Sequence, residues 1–523
     1  MIYAILYLVS ILVWGVYFYQ KIIKNVHMLQ LNSYRIARYW RWHQNALRYY
    51  IRLSELVLIL VLFIGFYING VLFFLMWCVS FAVLFMSLPK QTEKKKLVFT
   101  ARVIRLLVTI AIVTIGSVGC TILFTKIAFE LMYVFALFPV LIIVLAVLIN
   151  HPIESMINQY YISDAKKKIK LHKELKVVGI TGSFGKTSVK HFLTTLLSHD
   201  YNVLMTPESF NTPLGNTKTI RNMLQPIHEI FISEMGAKQN GDIKEICEIV
   251  NPKYGVITAI GEQHLETFKS LDHIITTKFE LIQSLPEDGI AFLNLDDKHI
   301  ADHLKKLNLQ CKVITYGINN DDADYQIFNI KVSRSGSTFN VRTRAGETQA
   351  FDTILLGEHN IYNVTASIAV ANEFGIPLSK ISSYVRLIMP VKHRLELIRN
   401  GNITILDDSF NSNPVGSKMA LTVLSQMPEK KILITPGMVE LGEKEYEYNY
   451  AFAEAAAEVC DNIILVGIKQ TKPMQDALNN IGFEKIKLHI AKNLQEALRI
   501  LPKFIEGESM VLIENDLPDT YNE

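Results

Sequence analysis

Five apolar stretches occupy the first 150 residues, and they constrain the fold more than any other feature of the chain. They run over residues 2–19, 53–68, 70–88, 104–125 and 127–149. Each comes close to the roughly 20 residues that a helix needs to cross the hydrocarbon of a bilayer. The sequence therefore predicts an α-helical transmembrane domain over residues 1–150, with the short second stretch either a span or part of a re-entrant hairpin.

Basic residues are concentrated in two of the segments that connect these stretches. The first segment contains Lys21, Lys24, Arg35, Arg38, Arg41, Arg48 and Arg52, and no acidic residue. The second contains Lys90, Lys94, Lys95, Lys96, Arg102 and Arg105. Because loops rich in Lys and Arg stay in the cytoplasm, everything after Asn150 is predicted to lie there. We therefore expect a multi-pass protein of the cytoplasmic membrane.

The first basic segment is also rich in aromatic residues, which are Tyr34, Tyr39, Trp40, Trp42, Tyr49 and Tyr50. Such side chains favour the level of the lipid headgroups, so we expect contact with membrane lipid. Two interpretations stay open, a plain topology signal and recognition of a lipid-linked substrate.

Beyond residue 150, predicted strands alternate with helices. The strands lie near residues 176–181, 229–234, 255–260, 290–294, 403–407, 431–435 and 462–466. This alternation predicts an α/β fold. We expect a linker at 151–175, a central domain with a parallel sheet at 176–390 and a Rossmann-like carboxy-terminal domain at 391–523. Alternating polarity predicts a β-hairpin insertion within 310–355.

Composition argues against two classes of function. The net charge of +4 is small for 523 residues and its basic excess is local, so no nucleic-acid partner is expected. The five cysteines are scattered without CxxC spacing, which is typical of buried thiols rather than of a zinc or redox site.

A glycine-rich loop in the sequence KVVGITGSFGKTSVKHFLTTLL follows the first strand of the central domain. Glycines let backbone N–H groups turn inward around phosphates, and the start of the next helix adds partial positive charge. Lys186 is predicted to reach the β- and γ-phosphates, and the Thr187 hydroxyl to hold Mg²⁺. The predicted ATP-binding residues of this loop are Thr181, Gly182, Ser183, Gly185, Lys186, Thr187 and Ser188.

Further motifs follow in order. They are FNTPLGNTKTI (210–220), FISEMGAKQNGDI (231–243), VITAIGEQHLETFKSLDHIITTKFELI (256–282), LLGEHNIYNVTASIAVA (355–371), PVKHRLE (390–396), LDDSFNSNP (406–414) and GMVELGE (437–443). With TGSFGKTS, this order resembles the Mur ligase family over roughly residues 150–505. The last two motifs resemble signatures of its D-Ala-D-Ala-adding members.

The resemblance implies two Mg²⁺ ions. Thr187 and Glu234 correspond to the first site, and His264 and Lys278 to the second, in which the lysine is carbamylated and acts as a carboxylate-like ligand. Glu234 ends a buried strand, where a carboxylate is costly unless it binds metal or pairs with a lysine. The implied catalytic residues are Lys186, Glu234, His264 and Lys278.

Other positions correspond to the rest of the nucleotide and to the substrates. Asn360 and Asn363 resemble residues near adenine, with His359 beside them. Arg394 and Asp408 resemble residues that reach the phosphates and metal from the carboxy-terminal domain. The candidate substrate residues are Asn211, Thr212, Asn411 and Asn413.

The implied reaction activates a carboxylate as an acyl phosphate with ATP, after which an amine displaces phosphate to form an amide. Mg²⁺ and Lys186 would offset the charge of the phosphates. The implied substrates are a carboxylate-bearing cell-wall precursor, soluble or lipid-linked, and an amino acid or dipeptide. Closure of the residues from about 391 onward is expected to assemble the site.

Two departures from the family leave the substrate open. Apolar stretches stand where the family has a UDP-sugar-binding domain, and the chain ends in MVLIENDLPDTYNE without a KGS-like turn and helix. Three functions are weighed: a D-Ala-D-Ala-adding ligase acting on a peptidoglycan precursor, a ligase for another wall or capsule polymer similar to poly-γ-glutamate, and a catalytically silent nucleotide-binding scaffold.

Overall fold

A computed structural model of the chain describes residues 2–45, 70–88, 96–120, 125–333, 335–410 and 412–516. These residues form two compact units, the first ending at Gln159 and the second starting at Tyr160. The first is helical, and the second contains two β-sheets with their connecting helices. The predicted fold class, an amino-terminal helical region followed by two α/β domains, is confirmed.

The helices that begin in the first unit are α1 (Ile2–Leu31), α2 (Ile36–Asn45), α3 (Gly70–Met86), α4 (Ala101–Cys120), α5 (Thr125–Leu137) and α6 (Pro139–Leu171). Among the described residues, three segments are long and apolar enough to cross a membrane: Ile5–Leu31, Ala101–Gly119 and Pro139–Leu171. They overlap the first, fourth and fifth predicted stretches. The third stretch forms α3, which has 17 residues. The second, 53–68, lies outside the described residues.

The fifth predicted stretch is divided between two helices. α5 ends at Leu137 and α6 begins at Pro139, because proline lacks an N–H donor and is best tolerated in the first turn of a helix. α6 then continues to Leu171, through most of the segment 151–175 that was predicted as a linker. Residues of good helix propensity, including several lysines and Ala165, favour this continuation.

The last turns of α6 belong to the second unit and pack into its hydrophobic core. Three side chains at helical spacing are buried there, namely Ile162, Ala165 and Ile169. On the same helix, Asp164 Oδ2 accepts a hydrogen bond from Arg221 Nε at 2.7 Å. The end of α6 is therefore packed as part of the second unit.

The larger sheet of the second unit consists of β1 (Lys176–Thr181), β2 (Val203–Met205), β3 (Ile230–Glu234), β4 (Tyr254–Ile257), β5 (Ile290–Asn294), β6 (Lys312–Gly317), β7 (Tyr325–Ser333), β8 (Gly336–Thr343) and β9 (Thr348–Thr353). Its strand order is β2-β3-β1-β4-β5-β6-β7-β8-β9. The strands from β2 to β7 pair in parallel. Four of them match the predicted strands of the central domain.

The helices of this domain are α7 (Lys186–Leu197), α8 (Pro213–Met223), α9 (Asp242–Val250), α10 (Leu265–Phe268), α11 (Leu271–Gln283), α12 (Lys298–Leu304), α13 (Glu358–Glu373) and α14 (Leu378–Val385). Two clusters of buried apolar residues hold them against the sheet. The predicted hairpin insertion is a three-stranded antiparallel extension, β7–β8–β9, so the sheet is mixed rather than wholly parallel.

The smaller sheet consists of β10 (Glu396–Asn400), β11 (Ile403–Asp408), β12 (Lys430–Thr435), β13 (Asn462–Val466), β14 (Leu488–Ala491) and β15 (Ser509–Glu514), in the order β10-β11-β15-β12-β13-β14. Its helices are α15 (Pro414–Ser425), α16 (Glu445–Val459), α17 (Lys472–Asn480) and α18 (Leu494–Ile500). All neighbours are parallel except β10 and β11. The carboxyl ends of β11, β15 and β12 therefore lie side by side, the usual position of a ligand crevice in such sheets.

Candidate functional site

The glycine-rich loop joins β1 to α7 in a conformation that requires glycine at two positions. Gly182 and Gly185 have φ angles of 150° and 83°. A Cβ on Gly182 would lie 2.1 Å from Thr258 Oγ1, and one on Gly185 would lie 2.6 Å from Asn363 Oδ1. No side chain fits at either position, so the loop packs closely against the residues that follow β4 and against α13.

Two hydroxyl groups of the loop hold it to the neighbouring strand ends. Thr181 Oγ1 donates to Met235 O at 2.8 Å. Ser183 Oγ donates to Gly261 O at 2.8 Å and accepts from Gly261 N at 3.0 Å. Because both hydroxyls are engaged within the protein, we expect any contact of these two residues with phosphate to come from their backbone N–H groups.

Lys186 folds over the loop at the start of α7. Its Nζ donates to Gly182 O at 2.7 Å and to Ser183 O at 3.0 Å. Burial lowers the pKa of its ammonium group to about 8, an effect that Glu234 opposes and Arg394 reinforces. The ammonium is therefore held where the phosphates of a nucleotide in the loop would lie.

Glu234 ends β3 and is fully buried in an ion pair with a lysine. Lys190 Nζ lies 3.0 Å from Glu234 Oε2, and Asn211 Nδ2 donates to Glu234 Oε1 at 3.1 Å. Burial alone would raise the pKa of the Glu234 carboxyl, but Lys190 and Lys186 outweigh it and lower the pKa. Of the two alternatives for Glu234, pairing with a lysine is thus present in the structure, and Asn211 also contacts the Glu234 carboxylate.

His264 lies immediately before α10 and faces the carboxy-terminal domain. Its Nδ1 is 2.5 Å from Glu440 Oε2. Burial lowers the pKa of the imidazole, although Glu440 acts in the opposite direction. Glu440 belongs to the GMVELGE motif, which had no assigned residue role. The signal that could have identified Glu440 is an acidic residue in the loop that follows the carboxyl end of the parallel strand β12.

Lys278 is buried on α11, and its side-chain amine has neither a hydrogen bond nor an ion pair with any of the described residues. Burial lowers the pKa of its amine well below the ordinary value, and the nearby charge of Lys186 reinforces the effect. Burial of an unpaired ammonium is costly, so this amine favours its neutral and nucleophilic form. A neutral buried amine fits carbamylation, which converts it into an anionic oxygen ligand.

Arg394 and Asp408 of the carboxy-terminal domain line the same cavity as the glycine-rich loop, and Arg394 also contacts the start of α7. Arg394 donates to Thr187 Oγ1 at 3.2 Å, and its guanidinium lies 4.6 Å from the ring centroid of Phe410. Asp408 ends β11 and accepts from Leu395 N at 3.3 Å. Burial raises the pKa of the Asp408 carboxyl to about 7, although Arg394 opposes the shift. The two domains therefore meet at the start of α7.

A cavity of about 250 Å³ lies between these residues. From the central domain it is lined by Gly185, Ser188, His359, Asn360 and Asn363, and from the carboxy-terminal domain by Arg394, Asp408 and Asn413. Burial lowers the pKa of His359 to about 4, so its imidazole is neutral. The structure thus gathers most of the predicted nucleotide residues around one cavity.

The cavity is also lined by polar residues without an assigned role: Asn294, Asp296 and Asp297 lie outside the motifs, and Tyr362 lies within LLGEHNIYNVTASIAVA. Asp296 Oδ2 accepts from Tyr362 Oη at 2.7 Å, and Asp297 Oδ2 accepts from Ile260 N at 2.7 Å. Asn294 ends β5 in the sequence LNLDD. Polar residues at and just after the end of a buried parallel strand are the signal that could have identified Asn294, Asp296 and Asp297.

The remaining substrate candidates have local structural roles. Thr212 Oγ1 caps α8 by accepting from Gly215 N at 3.1 Å. Asn413 Oδ1 caps α15 by accepting from Gly416 N at 2.9 Å, and it also lines the cavity. Asn411 lies outside the described residues.

The oxygen and nitrogen atoms around the loop that could ligate a metal ion fit the predicted magnesium sites. Thr187 offers a hydroxyl oxygen and Glu234 a carboxylate, both of the hard oxygen type that Mg²⁺ prefers. His264 keeps Nε2 for a second ion, because its contact with Glu440 uses Nδ1. Lys278 would join that second site only as a carbamate.

Comparison with known proteins identifies both domains. Residues 180–371 match the Mur ligase middle domain, and residues 393–514 match the Mur ligase glutamate ligase domain. The chain is 29% identical over 383 residues to the UDP-N-acetylmuramoyl-tripeptide--D-alanyl-D-alanine ligase of Escherichia coli, which covers 70% of this chain and 83% of the relative.

Two further comparisons agree. The ligase of the same name from Buchnera aphidicola subsp. Acyrthosiphon pisum is 31% identical over 351 residues, covering 65% of this chain and 76% of the relative. The crystal structure of MurF from Acinetobacter baumannii superimposes with a TM-score of 0.63 at 25% identity, covering 70% of this chain and 78% of that one. With both domains matched and a site assembled between them, the chain belongs to the Mur ligase family of ATP-dependent acid–amino-acid ligases.

Proposed function

We propose that this ligase joins D-Ala-D-Ala to the carboxylate of a muramoyl tripeptide at the cytoplasmic face of the membrane. The observation that carries the proposal is the convergence of two domains on one cavity, which Gly185 and Ser188 line from the central domain and Arg394 and Asp408 from the carboxy-terminal domain. Relatives that match both domains are named for this addition.

The cationic side chains have the positions needed to offset phosphate charge. Lys186 already donates to two loop carbonyls, and phosphate oxygens would replace them as stronger, charged acceptors. Arg394 would add a second cation from the closing domain. Charge that develops during phosphoryl transfer is best stabilised by groups that are held in place beforehand. Burial holds the side chains of Lys186 and Arg394 in place in this way.

Magnesium would complete the site. Thr187 and Glu234 would hold one ion, and His264 with carbamylated Lys278 the other. Bound Mg²⁺ supplies Lewis-acid stabilisation of phosphate and acyl-phosphate oxygens. Asn360 and Asn363 line the cavity and would contact the base of the nucleotide, and Asp296 and Tyr362 line the same cavity.

The long apolar helices support a membrane setting for the reaction. Three described segments are long enough to cross a bilayer, and the basic segments beside them favour a cytoplasmic catalytic region. These helices stand where the family has its UDP-sugar-binding domain. A lipid-linked acceptor, presented at the membrane surface, is therefore the substrate form that we favour over a soluble one.

The test is ADP release by the detergent-purified full chain, with D-Ala-D-Ala as the amine and either UDP-MurNAc-tripeptide or its lipid-linked form as the acid. We expect release that needs both substrates, is faster with the lipid-linked acid, and falls at least a hundredfold in Lys186→Ala. Release with neither acid, from protein that still binds ATP, would reject the proposal.

One observation favours a second candidate, a ligase of the same type for a different amine. β15 ends at Glu514 and is followed by Asn515 in place of a KGS-like turn, and Glu514 is buried with Ser412 donating to its carboxylate. The same assay with other amino acids and dipeptides separates the two candidates, because only the amine requirement would change.

A further inference from the structure

One carboxylate of the carboxy-terminal domain reaches two basic residues of the central domain. Glu440 has a positive φ of 64°. Its Oε2 is 2.5 Å from His264 Nδ1, and its Oε1 is 3.6 Å from Lys238 Nζ. His264 and Glu440 are separated by 176 residues along the chain, so only the packing of the two domains brings them together.

The nitrogen that Glu440 contacts decides what His264 can bind. A carboxylate at Nδ1 accepts a hydrogen bond from Nδ1–H, which fixes the tautomer and leaves the lone pair of Nε2 available. Histidines that ligate metals commonly have this arrangement, with the second ring nitrogen bonded to a carboxylate that orients the ring. Among the described residues nothing forms a hydrogen bond with Nε2 of His264.

We propose that Glu440 is a positioning residue for His264, so that the second metal site is complete only when the carboxy-terminal domain is closed on the central domain. The inference rests on the proposed function in assigning His264 to metal binding. By linkage, metal binding at His264 and closure then favour each other by the same factor. A nucleotide bound with only one ion would leave the domains less firmly closed.

Other contacts between the two domains allow this role to be separated from closure itself. Lys444 Nζ lies 2.9 Å from Glu262 Oε1, and Tyr448 donates to the other oxygen of Glu262. Arg394 donates to Thr187 at 3.2 Å. None of these contacts involves Glu440, so we expect loss of its side chain to remove the orientation of His264 before it opens the domains.

The experiment is a Mn²⁺ titration of the detergent-purified full chain, followed by electron paramagnetic resonance, with a non-hydrolysable ATP analogue and bicarbonate present. We expect two Mn²⁺ ions in the wild type. Glu440→Ala should weaken one ion by about 10- to 100-fold, as other losses of a carboxylate behind a ligating histidine do. Glu440→Gln keeps an oxygen acceptor and should weaken the binding of that ion less than Glu440→Ala does.

Glu443→Gln is the matched control, because Glu443 is an exposed acidic residue only three positions away. It should bind both ions as the wild type does. Unchanged binding of both ions in Glu440→Ala would overturn the inference, as would fewer than two ions in the wild type. An equal weakening of both ions, together with a lower unfolding temperature, would also overturn it, since that result indicates a merely structural role.

The titration contains neither acid nor amine, so it is independent of the substrates. If ADP release fails with the muramoyl peptides while the Mn²⁺ result is as expected, the proposed function is rejected and the role of Glu440 stands. If ADP release succeeds and both ions bind Glu440→Ala normally, only the inference is rejected.

Discussion

At the scale of single residues, the site is characterised by charges that the fold has taken out of water. Lys190 and Glu234 form a fully buried pair, Lys278 is buried without a partner among the described residues, and Asp408 and Glu514 are carboxyls whose pKa burial raises to about 7 and about 8. Buried charges are costly unless they are paired or functional. The buried pair and Glu514 each lead to a specific prediction.

The Lys190–Glu234 pair predicts strong coupling between its members. Lys190→Met leaves a buried carboxylate without its cation and should lower the free energy of unfolding by about 3–5 kcal/mol. Adding Glu234→Gln should recover at least half of that loss, because the remaining groups are then neutral. Chemical denaturation of the single and double variants measures both values. A double variant as unstable as Lys190→Met alone would contradict the coupling.

Glu514 predicts a pH dependence of stability. Its folded pKa of about 8 lies above the ordinary value of about 4.3 that applies in an unfolded chain. The folded state therefore retains a proton that the unfolded state releases, and stability falls as the pH rises from about 4 to 8. Asp408 acts in the same direction up to about pH 7.

Glu514→Gln should remove this contribution. Since one pKa unit corresponds to about 1.4 kcal/mol, the variant should lose a few kcal/mol less stability than the wild type between pH 5 and pH 9. Unfolding temperatures over this range measure the difference. Glu508→Gln, at an exposed position just before β15, serves as the control, and equal pH profiles for the two variants would refute the prediction.

At the scale of elements, α6 connects an apolar span with the catalytic region as one helix. Its last turns bury Ile162, Ala165 and Ile169 in the core of the central domain. α8 supplies the partner contact, because Arg221 binds Asp164. The last turns of α6 thus have a structural role, and β1, which leads into the glycine-rich loop, begins only a few residues after this helix ends.

Ala165→Asp tests the contact between α6 and the central domain. A carboxylate at this fully buried position has no cation opposite it in the apolar cluster, so we expect a loss of about 3 kcal/mol or more in stability. Proteolytic cleavage between residues 160 and 176 should become faster. Ser163→Asp, at an exposed position of the same helix, should change neither quantity. Similar effects of both substitutions would argue against the contact.

At the scale of the whole molecule, the chain combines two Mur ligase domains with apolar helices that lie outside the residues matched to the family. The positive-inside rule predicts that the catalytic region faces the cytoplasm. A tag at the carboxyl end should therefore be digested by protease in inside-out membrane vesicles and protected in intact spheroplasts. The chain should stay with the membranes in high salt and at alkaline pH. Digestion of the tag in spheroplasts would reverse the predicted orientation.

The sequence by itself determined those features that depend on neighbouring residues. The strands β1, β3 and β5 follow the predicted ranges closely, because a short buried strand is encoded in one apolar run. The loop at Gly182 and Gly185 was also predictable, since its geometry requires glycine. Local patterns determined less about helix ends, and α6 extends about twenty residues past the predicted span because packing on the central domain favours it.

Only the tertiary structure decided which distant residues meet. The partner of Glu234 is Lys190, the partner of His264 is Glu440, and the cavity takes Asp296 from a segment without a recognised motif. These contacts join parts of the chain that are far apart in sequence, and no local pattern encodes them. Their strength comes from burial, which raises the energetic weight of each charge only after the chain has folded and, for His264 and Glu440, after the two domains have packed together.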